Sequence, residues 1–322
     1  MAGIAGCSKN SDSDSTLGNW IKRSDFDGYA RNDAASFVVN GKAYVGTGFD
    51  GKNRLKDCWE YNPDQNAWTQ KADFPGEARN GAVGFSADNR GYIATGYNGV
   101  DYLKDCWQYD PEKNVWARVS DFGGTARHAA VAFGIGSKGY ITCGYDGRYL
   151  KDFWEYDPAS DKWTQKASMG GSKRMYATAF VIKDMAYIFG GVNNGSLVND
   201  FWAYDPAQDK WTQKRDITNT SDDSYDDDYT TIVRGRAAAF VIDDTAYIAT
   251  GETPSLISNV WEYDPKTDLW IERTAFQGTP RVGATGFAVK NRGFIAVGGT
   301  DGTTQYDDLW EFQPYVEDDS ND

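Results

Sequence analysis

Asp57-Cys58-Trp59-Glu60-Tyr61-Asn62-Pro63-Asp64-Gln65-Asn66-Ala67-Trp68-Thr69-Gln70 is the most informative stretch of the chain, because its pattern recurs. The first half returns as DCWQYDP at 105, DFWEYDP at 152, DFWAYDP at 200, NVWEYDP at 259 and DLWEFQP at 308. In five copies a second tryptophan follows nine residues after the first: Trp59 to Trp68, Trp107 to Trp116, Trp154 to Trp163, Trp202 to Trp211 and Trp261 to Trp270. Between them lies an Asn-Pro or Asp-Pro turn. The odd spacing lets the two indoles oppose each other across a hairpin. Proline presets the turn dihedral and cannot belong to a central strand, so each pair marks two strands and the bend between them.

Upstream of each copy, Tyr/Phe-x-x-x-Gly sets Tyr44, Tyr92, Tyr140, Tyr187, Tyr247 and Phe294 in register. Before these stands an arginine, at Arg31, Arg79, Arg127, Arg174, Arg234 and Arg281. The third residue after each arginine is alanine (Ala34, Ala82, Ala130, Ala177, Ala237, Ala284), the fifth is Ser, Gly or Ala, and the sixth is phenylalanine. Such small side chains suit strands that converge on an axis, and the phenylalanines suit packing between neighbouring sheets. Each unit of about 48 residues thus reads as four strands, two hairpins in series, and a period of this length signals a repeat architecture.

Trp310 has no downstream partner, and the one tryptophan left over is Trp20, in Trp20-Ile-Lys-Arg-Ser-Asp-Phe26, a stretch like Trp68-Thr-Gln-Lys-Ala-Asp-Phe74. Trp20 precedes Arg31 by eleven residues, as Trp68 precedes Arg79. The N-terminal strand therefore completes the last unit. Closure of this kind removes exposed sheet edges. The reading is an all-β, six-bladed β-propeller with four antiparallel strands per blade. Its expected limits are residues 20–314, with a polar N-terminal segment 1–19 and an acidic tail 315–322.

These residues resemble Kelch repeats, with Gly190-Gly191 and Gly298-Gly299 as the double glycine of that family. Other copies depart from it, with Thr47-Gly48, Thr95-Gly96, Cys143-Gly144 and Thr250-Gly251. The resemblance spans roughly residues 20 to 314 and is specific for fold rather than function. Kelch propellers include protein-binding adaptors, a copper radical oxidase, a sialic-acid mutarotase and many bacterial surface proteins. The oxidase site needs histidine ligands, and this chain has a single histidine, His128, so copper oxidation is not expected and a galactose-oxidase-like label would describe the fold alone. The same shortage weighs against Ser-His-Asp catalysis and histidine-rich zinc sites.

Composition agrees. The chain of 322 residues carries 35 Gly, 12 Trp, 20 Tyr and 16 Phe, suited to short strands, tight turns and buried aromatic area. No run of eighteen apolar residues is present, which predicts a soluble mature chain. A formal charge of −14 argues against nucleic acid or an anionic membrane surface as partner. Cysteines at 7, 58, 106 and 143 match neither a zinc spacing nor a redox CxxC. Cys58 and Cys106 occupy repeat positions held elsewhere by Phe153, Phe201, Val260 and Leu309, as small hydrophobes would. No metal or cofactor is expected, and a surface without a long apolar stripe predicts a monomer.

The arginines are the first candidate site. By topology they would gather at one mouth of the central channel, where guanidinium groups suit bidentate contact with a carboxylate, sulfate or acidic peptide. The Kelch resemblance implies the same, since arginines at matching positions of mammalian adaptors contact an acidic peptide. The competing reading is structural pairing with Asp57, Asp105, Asp152, Asp200 and Asp308. Asn259 breaks that series, so Arg234 is expected to be the freest, with Arg236 adding charge beside it. Loops beginning Phe49-Asp50-Gly51, Tyr97-Asn98-Gly99 and Tyr145-Asp146-Gly147 place aromatics on the same face, suited to sugar rings or otherwise to turn packing. His128 stands next to the mouth, as a contact or merely a polar lining residue. An enzyme acting on an acidic sugar, such as a mutarotase, would draw its acid or base from Glu77, His128 or Glu252. The leading reading is instead a non-catalytic binding propeller for an acidic or polar ligand, protein or glycan.

Arg234 follows Trp211 by twenty-three residues instead of eleven, with Asp222, Asp223, Asp226, Asp227 and Asp228 in the insertion. The run lacks an EF-hand's spacing of ligands and glycine, so it reads as a solvated acidic loop rather than a calcium site, placed to shield or gate the arginine face. Ile4-Ala5-Gly6-Cys7 resembles a bacterial lipobox followed by a polar tether, without the usual charged and apolar signal regions. Lipidation at Cys7 would place the protein at the bacterial cell envelope, as an outer-membrane or surface lipoprotein, with the lipid as its one membrane contact.

Overall fold

In the computed structural model, which describes residues 17–300 and 303–319, six four-stranded antiparallel sheets stand around a central channel. Blade 1 comprises Ala35–Val39, Lys42–Gly46, Cys58–Asn62 and Ala67–Lys71, running outward from the axis. The sixth sheet orders Thr285–Val289, Arg292–Ala296 and Leu309–Glu317 outward, and Leu17–Lys22 forms its outermost strand. Trp20 pairs with Phe312, and Lys22 with Trp310. These two strands run further than the expected limits of 20 and 314, because Leu17 still finds Glu317 as a partner beyond a register shift. Lipidation at Cys7 falls outside the described residues. Among those residues, no helix is long and apolar enough to cross a membrane.

The repeat explains the packing. Tyr61 and Trp68, Tyr109 and Trp116, and Tyr263 and Trp270 face each other directly across the outer hairpins. The tyrosine rather than the first tryptophan is the cross-strand partner, so the two indoles are offset by two residues. Phe37 enters the interface with blade 2, where its ring stands 6.0 Å from that of Tyr109. A Cβ at Gly91 would lie 2.0 Å from a ring carbon of Phe37, and Phe85 bears in the same way on Gly139. The residue before the second-strand aromatic is therefore glycine or alanine in every blade. Cys58, Cys106 and Cys143 are free and buried, and burial raises each thiol above its ordinary value.

Around the axis the backbone closes a second ring. The amide of Gly81 donates to the carbonyl of Asp33 at 2.9 Å, Ala129 to Gly81 at 2.9 Å, Tyr176 to Ala129 at 3.0 Å, Arg236 to Tyr176 at 3.0 Å, Gly283 to Arg236 at 3.2 Å and Asp33 to Gly283 at 2.9 Å. All six residues adopt positive φ, between 50° and 61°. Four of them are not glycine, a conformation that L residues avoid unless the surroundings impose it. Here each blade's contribution is held by the blades on both sides.

Candidate functional site

The arginines are not displayed at the mouth. All six are fully buried, and the guanidinium groups tie together the upper ends of the inner three strands of their own blade. In blade 2, Arg79 Nε donates to the Glu77 carbonyl at 2.9 Å and Nη1 to the Thr95 carbonyl at 2.9 Å. Nη1 and Nη2 grip the two oxygens of Asp105 at 2.6 and 2.8 Å, and Trp107 Nε1 donates to the same carboxylate at 2.7 Å. Phe74 lies under the guanidinium at 4.8 Å. Arg31 with Asp57, Arg127 with Asp152, Arg174 with Asp200 and Arg281 with Asp308 repeat the ion pair. In Asp57, Asp105, Asp152 and Asp308 the Asp-x-Trp carboxylate thus accepts from one arginine and one indole, whereas the buried Trp202 Nε1 beside Asp200 finds no acceptor. Burial drives the Asp105, Asp152 and Asp308 carboxyls up, but the paired arginine and the neighbouring indole outweigh it and hold them below the ordinary carboxylate value.

Arg234 is not the free member of the set. Lacking an aspartate, it donates to the carbonyls of Thr231, Thr250 and Asn259. Burial without a carboxylate partner drives this guanidinium below its usual range, with only Glu272 opposing. Asn259→Asp is expected to supply the missing partner and stabilise blade 5 by about 1–3 kcal/mol, the worth of hydrogen bonds to a charged group. Urea unfolding of the variant checks this; an unchanged or lower midpoint would mean that three carbonyls already satisfy Arg234.

Among the described residues, the acidic insertion supplies none that line the channel mouth, and it meets the leading arginines only where Thr231 accepts from Arg234. Ile217, Tyr229 and Ile232 are buried in the core of blade 5, and the Tyr229 hydroxyl accepts the amide of Trp270 at 2.7 Å on that blade's outer strand. Asp226 accepts the amides of Thr220 and Ser221, both at 3.0 Å, which closes the loop on itself. Among the described residues, no group of three or more metal-ligating side chains is assembled.

What lines the mouth is the residue two places after each arginine. Asp33, Gly81, Ala129, Tyr176, Arg236 and Gly283 surround a space of about 150 Å³, with the six alanines just beneath. The channel continues into a space of about 210 Å³ lined by alanine, serine, threonine, glycine and Val131. Arg236 Nη2 spans Gly283 to meet both oxygens of Asp33 at 3.2 and 3.3 Å, and its guanidinium lies 5.1 Å from the Tyr176 ring. Burial drives the Tyr176 hydroxyl up to about 12, reinforced by the charge of Asp33 and opposed by Arg236.

Over blades 2 to 4 the rim is aromatic. His128 stacks parallel on Tyr102, with ring centres 5.0 Å apart and planes 5° from parallel. Tyr97 at 6.0 Å, Tyr145 at 6.0 Å and Tyr176 at 6.1 Å surround the same imidazole. Burial pushes His128 below its ordinary value, against the pull of Asp33, so the ring is neutral at neutral pH. Arg54 continues the crescent, 5.4 Å from the ring of Phe49 and 4.7 Å from that of Tyr97. The structure thus gathers His128, Tyr97, Tyr145, Phe49 and Arg236 on one face and removes the six leading arginines. Glu252 is bridged to Gly235, directly before Arg236, whereas Glu77 is exposed and accepts a hydrogen bond from Asn98. Tyr102, Tyr176, Arg54 and Asp33 were not expected there. For Asp33 and Tyr176 the signal was the column two places after the arginine, which directly precedes an invariant alanine yet differs from blade to blade, as the column before it also does.

Residues 30–75 and 78–123 match the Kelch motif, and residues 121–272 match the family model described as the KLHDC2/KLHL20/DRC7 Kelch-repeats domain. The chain is a Kelch-repeat β-propeller. No curated protein matches its sequence. The solved structure entitled "Structure of YjhT" is similar with a TM-score of 0.74 and 14% identity, over 88% of this Kelch chain and 95% of that one. At that identity the likeness concerns fold alone. Kelch propellers generally mediate protein interactions.

Proposed function

We propose that this Kelch propeller is a binding protein whose ligand, a glycan, seats on the aromatic crescent at the channel mouth. One observation carries the reading: His128 lies stacked on Tyr102 inside a half-buried ring of tyrosines from three blades, of which Tyr176 also lines the channel mouth. Aromatic faces take the apolar face of a sugar, and adjacent polar groups take its hydroxyls, the usual division of labour in small-ligand sites. Arg236 and Asp33 supply such groups beside Tyr176. The mouth's small volume suits a single ring better than a peptide backbone, and the internal ion pair of Arg236 favours a polar ligand over a strongly acidic one.

His128 is the one histidine in the chain, so its imidazole proton signal reports on the mouth without ambiguity. Titration with the methyl glycosides of glucose, galactose, N-acetylglucosamine, glucuronic acid and sialic acid is expected to move that signal for at least one of them. Tyr102→Ala should weaken the binding about tenfold by removing the stacked ring. If no glycoside moves His128, or an acidic peptide does so instead, the glycan reading fails. Exchange between the anomers of the corresponding free sugars, followed in the same way, tests the enzymatic alternative: acceleration above the spontaneous rate would make His128 or Glu252 a proton carrier.

A further inference from the structure

The seams between blades share one register. The residue after each arginine pairs with the start of its own blade's upper loop, as Asn32 with Phe49, Asn80 with Tyr97 and His128 with Tyr145. That loop folds back to a second bridge, Phe49 with Arg54, Tyr97 with Tyr102 and Gly299 with Gln305. The residue after this arm then accepts the amide of the next blade's arginine: Leu55 from Arg79, Leu103 from Arg127 and Tyr306 from Arg31. Each of these arms is thereby delivered to the residue following that arginine. Arg54 Nε accordingly donates to Asn80 Oδ1 at 2.8 Å, and Tyr102 stacks on His128.

By the same register Gln305 of blade 6 is delivered to Asn32 of blade 1, and there the polar groups do not close. Asn32 is 5% exposed, and its Oδ1 has no hydrogen-bond partner; neither does the Oε1 or the Nε2 of Gln305, all three atoms being buried. One glycine leaves the Gln305 amide its space: a Cβ at Gly299 would come within 2.2 Å of Oε1. Each buried polar atom left in this state costs roughly 1–3 kcal/mol, and such groups in native proteins call for an explanation.

We propose that this seam is the hydroxyl seat of the mouth's ligand. A hydroxyl both donates and accepts, so one group satisfies an amide oxygen and the Gln305 amide donor together. Asn32 directly precedes Asp33, the mouth residue held by Arg236, which sets the seam one residue along the chain from the polar side of the mouth. A glycan would lay its ring on the crescent and anchor one hydroxyl at the seam. The assignment rests on the glycan reading above. The same chemistry is met by a resident water, which the test separates.

Gln305→Met keeps the side chain's length and removes its hydrogen-bonding groups. The variant is expected to weaken the methyl glycosides about tenfold, as read from the His128 signal, and to unfold at a higher temperature than the parent, because an unsatisfied buried amide is gone. The glycoside lacking the anchored hydroxyl should bind parent and variant alike, a control that does not depend on the substitution. A variant that binds every glycoside as the parent does, with His128 still responding, overturns the seat and leaves the glycan reading standing. A lower unfolding temperature with unchanged affinity assigns the seam to a structural water and equally overturns it. Absence of any His128 response in the parent removes the glycan reading and the seat with it.

Discussion

Arg79→Ala is expected to destabilise the propeller by roughly 3–5 kcal/mol, the cost of breaking a buried ion pair by removing one partner. Asp105 would be left with the Trp107 indole as its one remaining side-chain donor, and the carbonyls of Glu77 and Thr95 would each lose a guanidinium donor. The loss corresponds to a fall on the order of 6–10 °C in Tm for a domain of this size. Thermal unfolding followed by circular dichroism reads it, and a fall of less than about 2 °C would show that the pair is dispensable. Arg79→Met combined with Asp105→Leu should recover much of the loss, since apolar replacement of both partners leaves no orphaned charge. The pair also sets an acid limit. A carboxyl held below its unfolded value contributes stability that is fully present above about pH 4 and is lost as pH falls through the depressed folded value. Asp105, Asp152 and Asp308 all shift in that direction, so acid unfolding should begin below pH 4 and move to higher pH when their arginines are removed.

The buried pairs show where the sequence was readable and where it was not. Period, tryptophan spacing and the alanine column report packing, and packing repeats with the chain. Trp20, Ala34 and Phe37 therefore stand where the pattern puts them: in the closing strand, on the channel and in the blade interface. The arginines repeat just as strictly, and that regularity was the sign of a structural part. A ligand breaks the sixfold symmetry of a propeller, so the residues that meet it belong to columns that differ from blade to blade. Asp33, Gly81, Ala129, Tyr176, Arg236 and Gly283 form such a column. Its place at the rim follows from the left-handed turn after the arginine, which turns each of these residues into the axial hydrogen-bonded ring. No spacing rule announces that turn when alanine, tyrosine or arginine occupies it. Tyr102 was hidden for another reason: the loop that folds it onto His128 joins two blades by tertiary contact, and its length varies among the copies.

Trp20→Ala is expected to open the ring, with a loss of about 3–5 kcal/mol for removing a fully buried indole. The indole stands 5.0 Å from the Phe276 ring and 4.8 Å from that of Phe312, edge-on to the former, and it also reaches Phe240 of blade 5 at 6.2 Å. It therefore joins the first strand both to the sixth sheet and to the blade before it. Deleting residues 1–22 should do more than the substitution, because the long strand Leu309–Glu317 would then become an unpaired sheet edge carrying Trp310 and Phe312. An edge of that length is a template for pairing with another chain. Size-exclusion chromatography should show the truncated protein as oligomers and aggregates, and urea unfolding should show Trp20→Ala with a lowered midpoint. Trp20→Phe, which retains an aromatic ring, should lie between. A truncated protein that stays monomeric with the parent's unfolding midpoint would mean that five complete blades and a three-stranded sixth hold themselves together, through the axial ring of backbone hydrogen bonds instead of the outer strand.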